Sequence, residues 1–438
     1  MLKKKRGALS LLLKMKKKKK KQTATILNKL HAPARVHPDS PKLARSLAPI
    51  RILMVIDQLN LGGTETHTLS VTRELIKKGA TVVIACKKGK LLEHFLGLGC
   101  PFYEIDFVLD NYEPDHENHF KHLQLLKSVI LSEQIDLVHG HQIPSGSIAR
   151  IAAEQMNIPY VFTVHGTYYE RDFLDAIQKK STITCVSPPI RRMLLSNGID
   201  SQIIPNGMDT KEYHAYGPAY LDHFRVKLGI PLDATVVLYA GRLSWEKGEI
   251  CEEIIHTLTA MRNNGYPNLH LIIAGSGNKL EKIIKLADKM EQQSSETFIH
   301  YVGEVMNMGA YYSVSDCVIG TGRVALEAMS CERPLIAIGT KGFLGIVNPD
   351  SYEKAWECWF GDHDHDKKSS RALLTAHLRK IISMEPRPKS HLVQSGKKFV
   401  TDRFQASNTV DQLLNIYNQS IQQYKAVRRS ELNSKSND

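Results

Sequence analysis

TVVLYAGRLSWEKGEICEEIIHTLTAMRN, residues 235–263, decides the fold of this chain. It opens with an unbroken apolar run that stops at Gly241, then passes through a short polar turn. From Gly248 onward, apolar residues recur at helical spacing. A strand without polar alternation is buried on both faces, so it belongs in a parallel sheet covered by helices. Strand, glycine turn and helix together predict one βα unit of a doubly wound α/β domain.

The same unit recurs on both sides. Towards the C-terminus come LHLIIAG (269–275), the helical KLEKIIKLADKMEQQ (279–293), TFIHYVG (297–303), SDCVIG (315–320) and PLIAIG (334–339). Towards the N-terminus lie RILMVI (51–56), the helical TETHTLSVTRELIKKG (64–79), TVVIAC (81–86), IDLVHG (135–140), YVFTVHG (160–166) and STITCV (181–186). IPNGMD and KEYHAYGPAYLDHFRVKLGIP separate the sets and fit a crossing between domains. The expected organisation is a tail and linker over 1–50, one domain over 51–225 and a second over 226–405. A helix over 406–427 follows, and a polar tail over 428–438. The two α/β domains face each other across a cleft.

Bulk properties narrow the function. At 438 residues and 42% hydrophobic the chain can fill two cores. The net charge of +13 suggests a nucleic-acid or membrane binder, but it is not spread evenly. The first 50 residues hold 15 Lys or Arg against one Asp, so the remaining 388 carry about −1. A body of that charge argues against a nucleic-acid partner. The run KMKKKKKK (Lys14 to Lys21) reads as a disordered extension or as a polybasic contact for anionic lipid. MLKKKRGALSLLLKM has too short an apolar core for a secretory signal. Seven cysteines without a CxxC pair exclude a zinc site or a disulfide framework and fit buried residues in a cytoplasmic protein.

Candidate chemistry gathers at strand ends. NLGGTETH (60–67) follows the first strand, and Gly62 and Gly63 let the backbone approach a ligand at a helix start. It does not meet the GxGxxG dinucleotide fingerprint. His165 ends YVFTVHG, where a neutral imidazole can donate to a substrate oxygen. Gly241 precedes Arg242 and Lys247, a fork and a point charge suited to a diphosphate. Gly275 ends another strand, and CVIGTGRVALEAM (317–329) supplies Gly320, Gly322, Arg323 and Glu327. Arg323 and Glu327 are four residues apart, so they can also pair with each other. GDHDHDKK (361–368) alternates Asp362, Asp364 and Asp366 with His363 and His365, but reads as a surface loop rather than a metal site.

LGGTETH, TVHG, CVSPPIRRMLLSNGID, IIPNGMD, YAGRLSWEKG, IIAGSG and GRVALEAMSCERPLIAIG, in this order, resemble retaining glycosyltransferases of the GT-B fold, in particular glycosyltransferase family 4. The resemblance implies two Rossmann-like doubly wound domains, the second holding a nucleotide-sugar and the first much of the acceptor site. It implies that Arg242 and Lys247 contact the donor diphosphate and Glu327 the ribose. Gly63 would lie near the donor and His165 near the transferred sugar, with no metal cofactor. The family's E-x7-E pair departs here: eight positions before Glu327 stands Ile319. The compressed loop is expected to bind donor through amides around Gly320 to Gly322 and the Arg323 guanidinium. The expected activity is transfer of a sugar to a glycan, lipid-linked or small-molecule acceptor, with retention, at the inner face of the membrane or in the cytoplasm. A nucleotide-sugar epimerase and a non-catalytic glycan-binding scaffold are the alternatives.

Overall fold

The computed structural model describes residues 49–107, 117–179, 181–294, 296–363, 365 and 367–435. The basic segment and its expected lipid contact lie outside the described residues. The first sheet is built from β1 (Arg51–Gln58), α1 (Gly63–Lys77), β2 (Thr81–Lys87), α2 (Leu92–Gly97), β3 (Phe102–Glu104), α3 (Glu117–Ser132), β4 (Leu137–Gly140), α4 (Ser145–Gln155), β5 (Tyr160–Val164), α5 (Arg171–Gln178), β6 (Ser181–Cys185), α6 (Pro188–Ser196) and β7 (Gln202–Ile203). The second follows with α7 (Pro218–Lys227), β8 (Thr235–Ala240), α8 (Trp245–Asn263), β9 (Leu269–Ala274), α9 (Leu280–Ser294), β10 (Ile299–Gly303), α10 (Met308–Val314), β11 (Cys317–Gly320), α11 (Gly322–Ser330), β12 (Leu335–Gly339) and β13 (Gly342–Ile346). Four helices close the chain: α12 (Tyr352–Glu357), α13 (Arg371–Ile382), α14 (Pro386–Phe404) and α15 (Ala406–Lys435).

The first sheet has the order β3-β2-β1-β4-β5-β6-β7, parallel throughout. The second has the order β10-β9-β8-β11-β12-β13, parallel except for its last pair. In each, the winding reverses between two central strands, β1 and β4 in one and β8 and β11 in the other. Connections leave those strands in opposite directions, and a crevice opens at their carboxyl ends. The two crevices hold the NLGG, HGH, GRLSW and TGRV turns. Along β1, Leu53 and Val55 pack into one core while Ile52, Met54 and Ile56 pack into the other, so both sheet faces are apolar. That is why the strands read as continuous Val/Ile/Leu runs.

The last helix returns to the first sheet. Val410, Leu413, Ile416 and Tyr417 form one stripe of α15 and join the core that contains Ile52 and Met54. Burying such a side chain contributes roughly 1.5–3 kcal/mol before entropy is counted. A polar line crosses the same contact: the Tyr417 hydroxyl lies 2.6 Å from His139 Nδ1, and His139 Nε2 lies 2.7 Å from Thr163 Oγ1. Where the chain passes from one sheet to the other and back, its two crossings touch. Met208 N–H donates to Phe404 O at 2.6 Å and Ala406 N–H to Met208 O at 3.0 Å.

Two expected boundaries move. Met208, Tyr213 and Ile230 are buried in the second sheet's core, with Leu221 and Phe224 of α7 packed against it. The segment from 208 to 225, assigned by sequence to the first domain, therefore packs with the second. Its apolar residues find Tyr311 and Tyr312 far along the chain, a pairing that no local pattern reveals. At the other end the helix runs on to Lys435 instead of stopping near 427. All seven cysteines are buried and free. No helix among the described residues is long and apolar enough to cross a membrane.

Candidate active site

A cavity of about 790 Å³ lies between the two crevices, and most of the sequence-nominated residues meet in its wall. Gly62, Gly63, His165, Gly241, Arg242, Lys247, Gly275, Gly322, Arg323 and Glu327 all line it. Gly320 does not. It is the buried last residue of β11, and a Cβ there would come within 2.4 Å of the Val324 side chain. Its lack of a side chain serves helix packing. A larger space of about 1150 Å³ adjoins the cavity and shares Thr167, Glu246, Thr340 and His363 with it.

Three helix starts converge on the cavity, and none has a side-chain cap. Gly62 caps α1 and has no side chain to offer. Ser244 caps α8, but its hydroxyl accepts from Asn278 N–H at 3.0 Å instead. Thr321 caps α11, yet its hydroxyl points to the Trp359 and Phe360 carbonyls at 3.0 and 2.9 Å. First-turn amides of α8 and α11, and those of Gly63 and Thr64 in α1, thus lack intrahelical partners beside the cavity, while the Glu65 N–H meets its own carboxylate. Such ends favour anions and hydroxyl oxygens. Two glycines are obligatory in this arrangement. Gly275 has φ +137°, and a Cβ there would sit 1.9 Å from Gly241 O. Gly322 has φ +57°, and a Cβ would meet Trp359 Nε1 at 2.8 Å.

The cationic groups are placed unequally. Arg242 is exposed in the cavity, its guanidinium 5.8 Å from the Trp245 ring centre. Lys247 is paired with Asp362 Oδ2 at 2.7 Å, while Asp362 Oδ1 accepts from Thr340 N–H at 3.2 Å. The aspartate comes from GDHDHDKK, so that segment is not merely surface; its Asp364 and Asp366 lie outside the described residues. Among the described residues, no three His, Cys, Asp or Glu side chains are grouped to hold a metal ion. Lys247 keeps further N–H donors beyond the one given to Asp362.

Glu327 sits at the cavity floor. Its Oε1 accepts from Arg323 Nε at 2.7 Å and its Oε2 from the Tyr312 hydroxyl at 2.7 Å. A carboxylate has about four acceptor positions, so two remain for other donors. The intramolecular pair anticipated for Arg323 therefore exists, but it uses only Nε. Arg323 Nη1 is enclosed without a partner in this structure.

Several lining or supporting residues, some of them in quoted segments, were not themselves nominated from the sequence. Asn206, from IPNGMD, is buried, lines the cavity and has an unpartnered Oδ1. Behind the GG turn, Glu65 accepts from Gln142 Nε2 at 2.7 Å, Asp57 N–H donates to Gln142 Oε1 at 2.9 Å, and Asp57 Oδ1 accepts from Ser145 N–H at 2.9 Å. Burial raises both carboxyls, and Arg242 partly offsets this for Glu65. Glu65 stands inside the quoted GGTETH, but only the fold reveals its role.

His67, His139, His141 and His165 form one cluster. His141 Nδ1 lies 3.1 Å from His165 Nε2, and the His139 and His141 ring centres are 4.1 Å apart. Loss of hydration pushes His139 and His165 down to about 3 and His67 and His141 well below the ordinary imidazole value. These histidines are neutral in the fold. The unfolded chain binds more protons between about pH 3 and 6.5, so stability falls as pH drops below 6.5 and is unaffected above it. For buried His139 the slope approaches about 1.4 kcal/mol per pH unit. Urea midpoints should be level from pH 8 to 7 and decline from 6.5 to 5. His139→Gln should be less stable at pH 8 yet decline less steeply; an equal slope would refute the linkage.

The pattern of Glycosyltransferase Family 4 matches residues 61–212, and that of Glycosyl transferases group 1 matches 222–380. The chain belongs to the GT-B glycosyltransferases of this type. The glycosyltransferase is similar to TuaC of Bacillus subtilis, named for teichuronic acid biosynthesis, with 25% identity over 56% of this chain and 61% of TuaC. It thus spans about three-fifths of that relative. The GPI3 subunit of phosphatidylinositol N-acetylglucosaminyltransferase from Saccharomyces cerevisiae is 24% identical over 66% of this chain and 67% of its own length. The glycosyltransferase also shares its fold with Anabaena HepE, solved with UDP and glucose, at a TM-score of 0.66 and 16% identity over 84% of this chain and 100% of HepE.

Proposed function

We propose that this glycosyltransferase takes a sugar from a nucleoside diphosphate sugar and passes it, with retention, to a hydroxyl of a glycan, lipid-linked or small-molecule acceptor. The carrying observation is the convergence of three uncapped helix starts with Arg242 and Lys247 on one cavity. That arrangement supports binding of a diphosphate and stabilises it most as negative charge grows on the departing group. Glu327 is the candidate for the ribose, His165 for the transferred sugar, and the amides of Gly62, Gly63, Gly322 and Arg323 for phosphate and sugar oxygens. Arg323, whose enclosed Nη1 has no partner, is the candidate for a further donor contact in the compressed loop.

Transfer on one face of the sugar balances without a protein nucleophile. The acceptor oxygen bonds to the anomeric carbon as the bond to the diphosphate oxygen breaks, and the hydroxyl proton passes to the departing phosphate. Closure of the cleft keeps water from acting as acceptor. The alternatives make different products: an epimerase releases nucleotide without an acceptor adduct, and a scaffold releases none. The test is nucleotide release from UDP-, GDP- and ADP-sugars, with and without a cell extract as acceptor source. Acceptor-dependent release from one donor supports the proposal. Silence with every donor moves the assignment to the scaffold.

A further inference from the structure

The histidine cluster contains more than the one imidazole that reaches the cavity. His165 lines the cavity, and its inward nitrogen, Nε2, is 3.1 Å from Nδ1 of the fully buried His141. Two neutral imidazoles meeting nitrogen to nitrogen share a single proton, so one ring donates and the other accepts. The far side of His141 decides which. Its Nε2 is enclosed and has no hydrogen-bond partner.

If His165 were the donor, the His141 proton would sit on Nε2, as a buried N–H without an acceptor. Orphaned N–H groups are among the rarest features of protein interiors, whereas acceptors are more readily left short of a partner. The opposite arrangement places the His141 proton on Nδ1, inside the observed contact, and leaves only a lone pair on Nε2. His165 Nε2 then accepts, and the His165 proton lies on Nδ1. That nitrogen takes no partner from the described residues and is not among the enclosed unpartnered atoms, so it is open to the cavity. The His139 ring, 4.1 Å from His141 between centres and itself held at both nitrogens, prevents His141 from turning away.

We infer that His141 is a positioning residue that fixes His165 as the Nδ1–H tautomer, so that His165 meets its substrate as a hydrogen-bond donor and cannot serve as a base. This deepens the transferase reading and rests on it for the identity of the oxygen that His165 addresses: a sugar hydroxyl or a phosphate oxygen. The tautomer itself does not depend on that reading. It agrees with a reaction in which the leaving phosphate, not the histidine, receives the acceptor's proton.

The decisive measurement is a two-bond proton–nitrogen correlation spectrum of the full chain labelled with ¹⁵N-histidine, the His165 signals being identified by their loss in His165→Asn. Signals of an Nδ1–H ring are expected; an Nε2–H ring overturns the inference. A pair of variants gives a second reading, with the best donor found in the screen. In His141→Asn the amide nitrogen can stand where Nδ1 stood and donate, whereas His141→Leu offers no donor. His141→Leu should lower kcat about 10-fold to 10²-fold with little change in donor KM, and His141→Asn should recover most of it. Equal loss in both variants, or full kcat in His141→Leu, counts against the inference. If His141→Leu does not fold, the wild-type spectrum still decides. An Nδ1–H spectrum in a protein that turns over no donor leaves the tautomer standing and refutes only the transferase reading.

Discussion

Arg242→Ala should lower kcat/KM for the nucleotide-sugar donor by about 10²–10³-fold, while leaving the melting temperature close to wild type. Both halves follow from its position. Its guanidinium is exposed in the cavity and rests near Trp245, with no carboxylate hydrogen-bonded to it among the described residues. Removing it therefore breaks no hydrogen-bonded ion pair, and Glu65, which loses its attraction, keeps the Gln142 amide. Its neighbour Lys247 is already held by Asp362 and supported by a backbone frame in which its carbonyl accepts from the Tyr239 hydroxyl at 2.7 Å. Arg242 is thus the more available cation of the two. Arg242→Lys should recover only part of the loss, because a point charge cannot reproduce a fork aimed at two oxygens. Lys247→Ala should lower both activity and stability, since it also strands Asp362. Steady-state kinetics with thermal melts separate these outcomes; donor turnover within threefold of wild type in Arg242→Ala would remove the diphosphate role.

Glu327→Ala is expected to act in the opposite proportion, with a loss of folding stability of about 3–5 kcal/mol. The carboxylate is the shared acceptor for Arg323 Nε and the Tyr312 hydroxyl; Tyr312 is fully buried and the Arg323 side chain is only 14% exposed. Deleting it leaves the largely buried Arg323 charge without its carboxylate and takes the partner from the tyrosine hydroxyl. Arg323 Nη1 is already unpartnered, and the guanidinium would keep only the Tyr213 ring, 5.9 Å away, beside it. Glu327→Gln should cost less, because an amide oxygen can still accept one of the two bonds. Arg323→Ala separates support from recognition. If Nη1 addresses the donor, donor KM or kcat changes in the folded variant; a loss confined to stability with full turnover makes the arginine a structural partner of Glu327. Urea titration of each variant, paired with donor kinetics, gives the comparison.

The fold was legible because its signal is local. Each continuous apolar strand ending in glycine before a helix, such as TVVLYAG leading to α8, records burial on both sheet faces within one stretch. The ends of those strands therefore pointed to the cavity, and Arg242, Lys247, Gly322 and Glu327 could be named from order alone. What escaped were relations between distant segments. Asp362 reaches Lys247 across 115 positions, and Tyr312 reaches Glu327 from the preceding helix. Asn206 lies in a crossing read as a connector, and the 208–225 segment was assigned to the wrong body because its aromatic partners are remote. Gly320 was over-read for the converse reason: a glycine at a strand end can serve packing as well as binding.

The two crossings at Met208 and Gln405 set how this molecule is able to bend. They are adjacent and joined by backbone hydrogen bonds on both sides of Met208, and a Cβ at Gly207 would come within 2.8 Å of Ala406 Cα. Two pins placed side by side permit a door to swing but not to slide. A tilt of one sheet body about this junction would strain neither crossing, but it would have to break the Arg73–Glu212 and Lys90–Glu304 pairs that span the bodies.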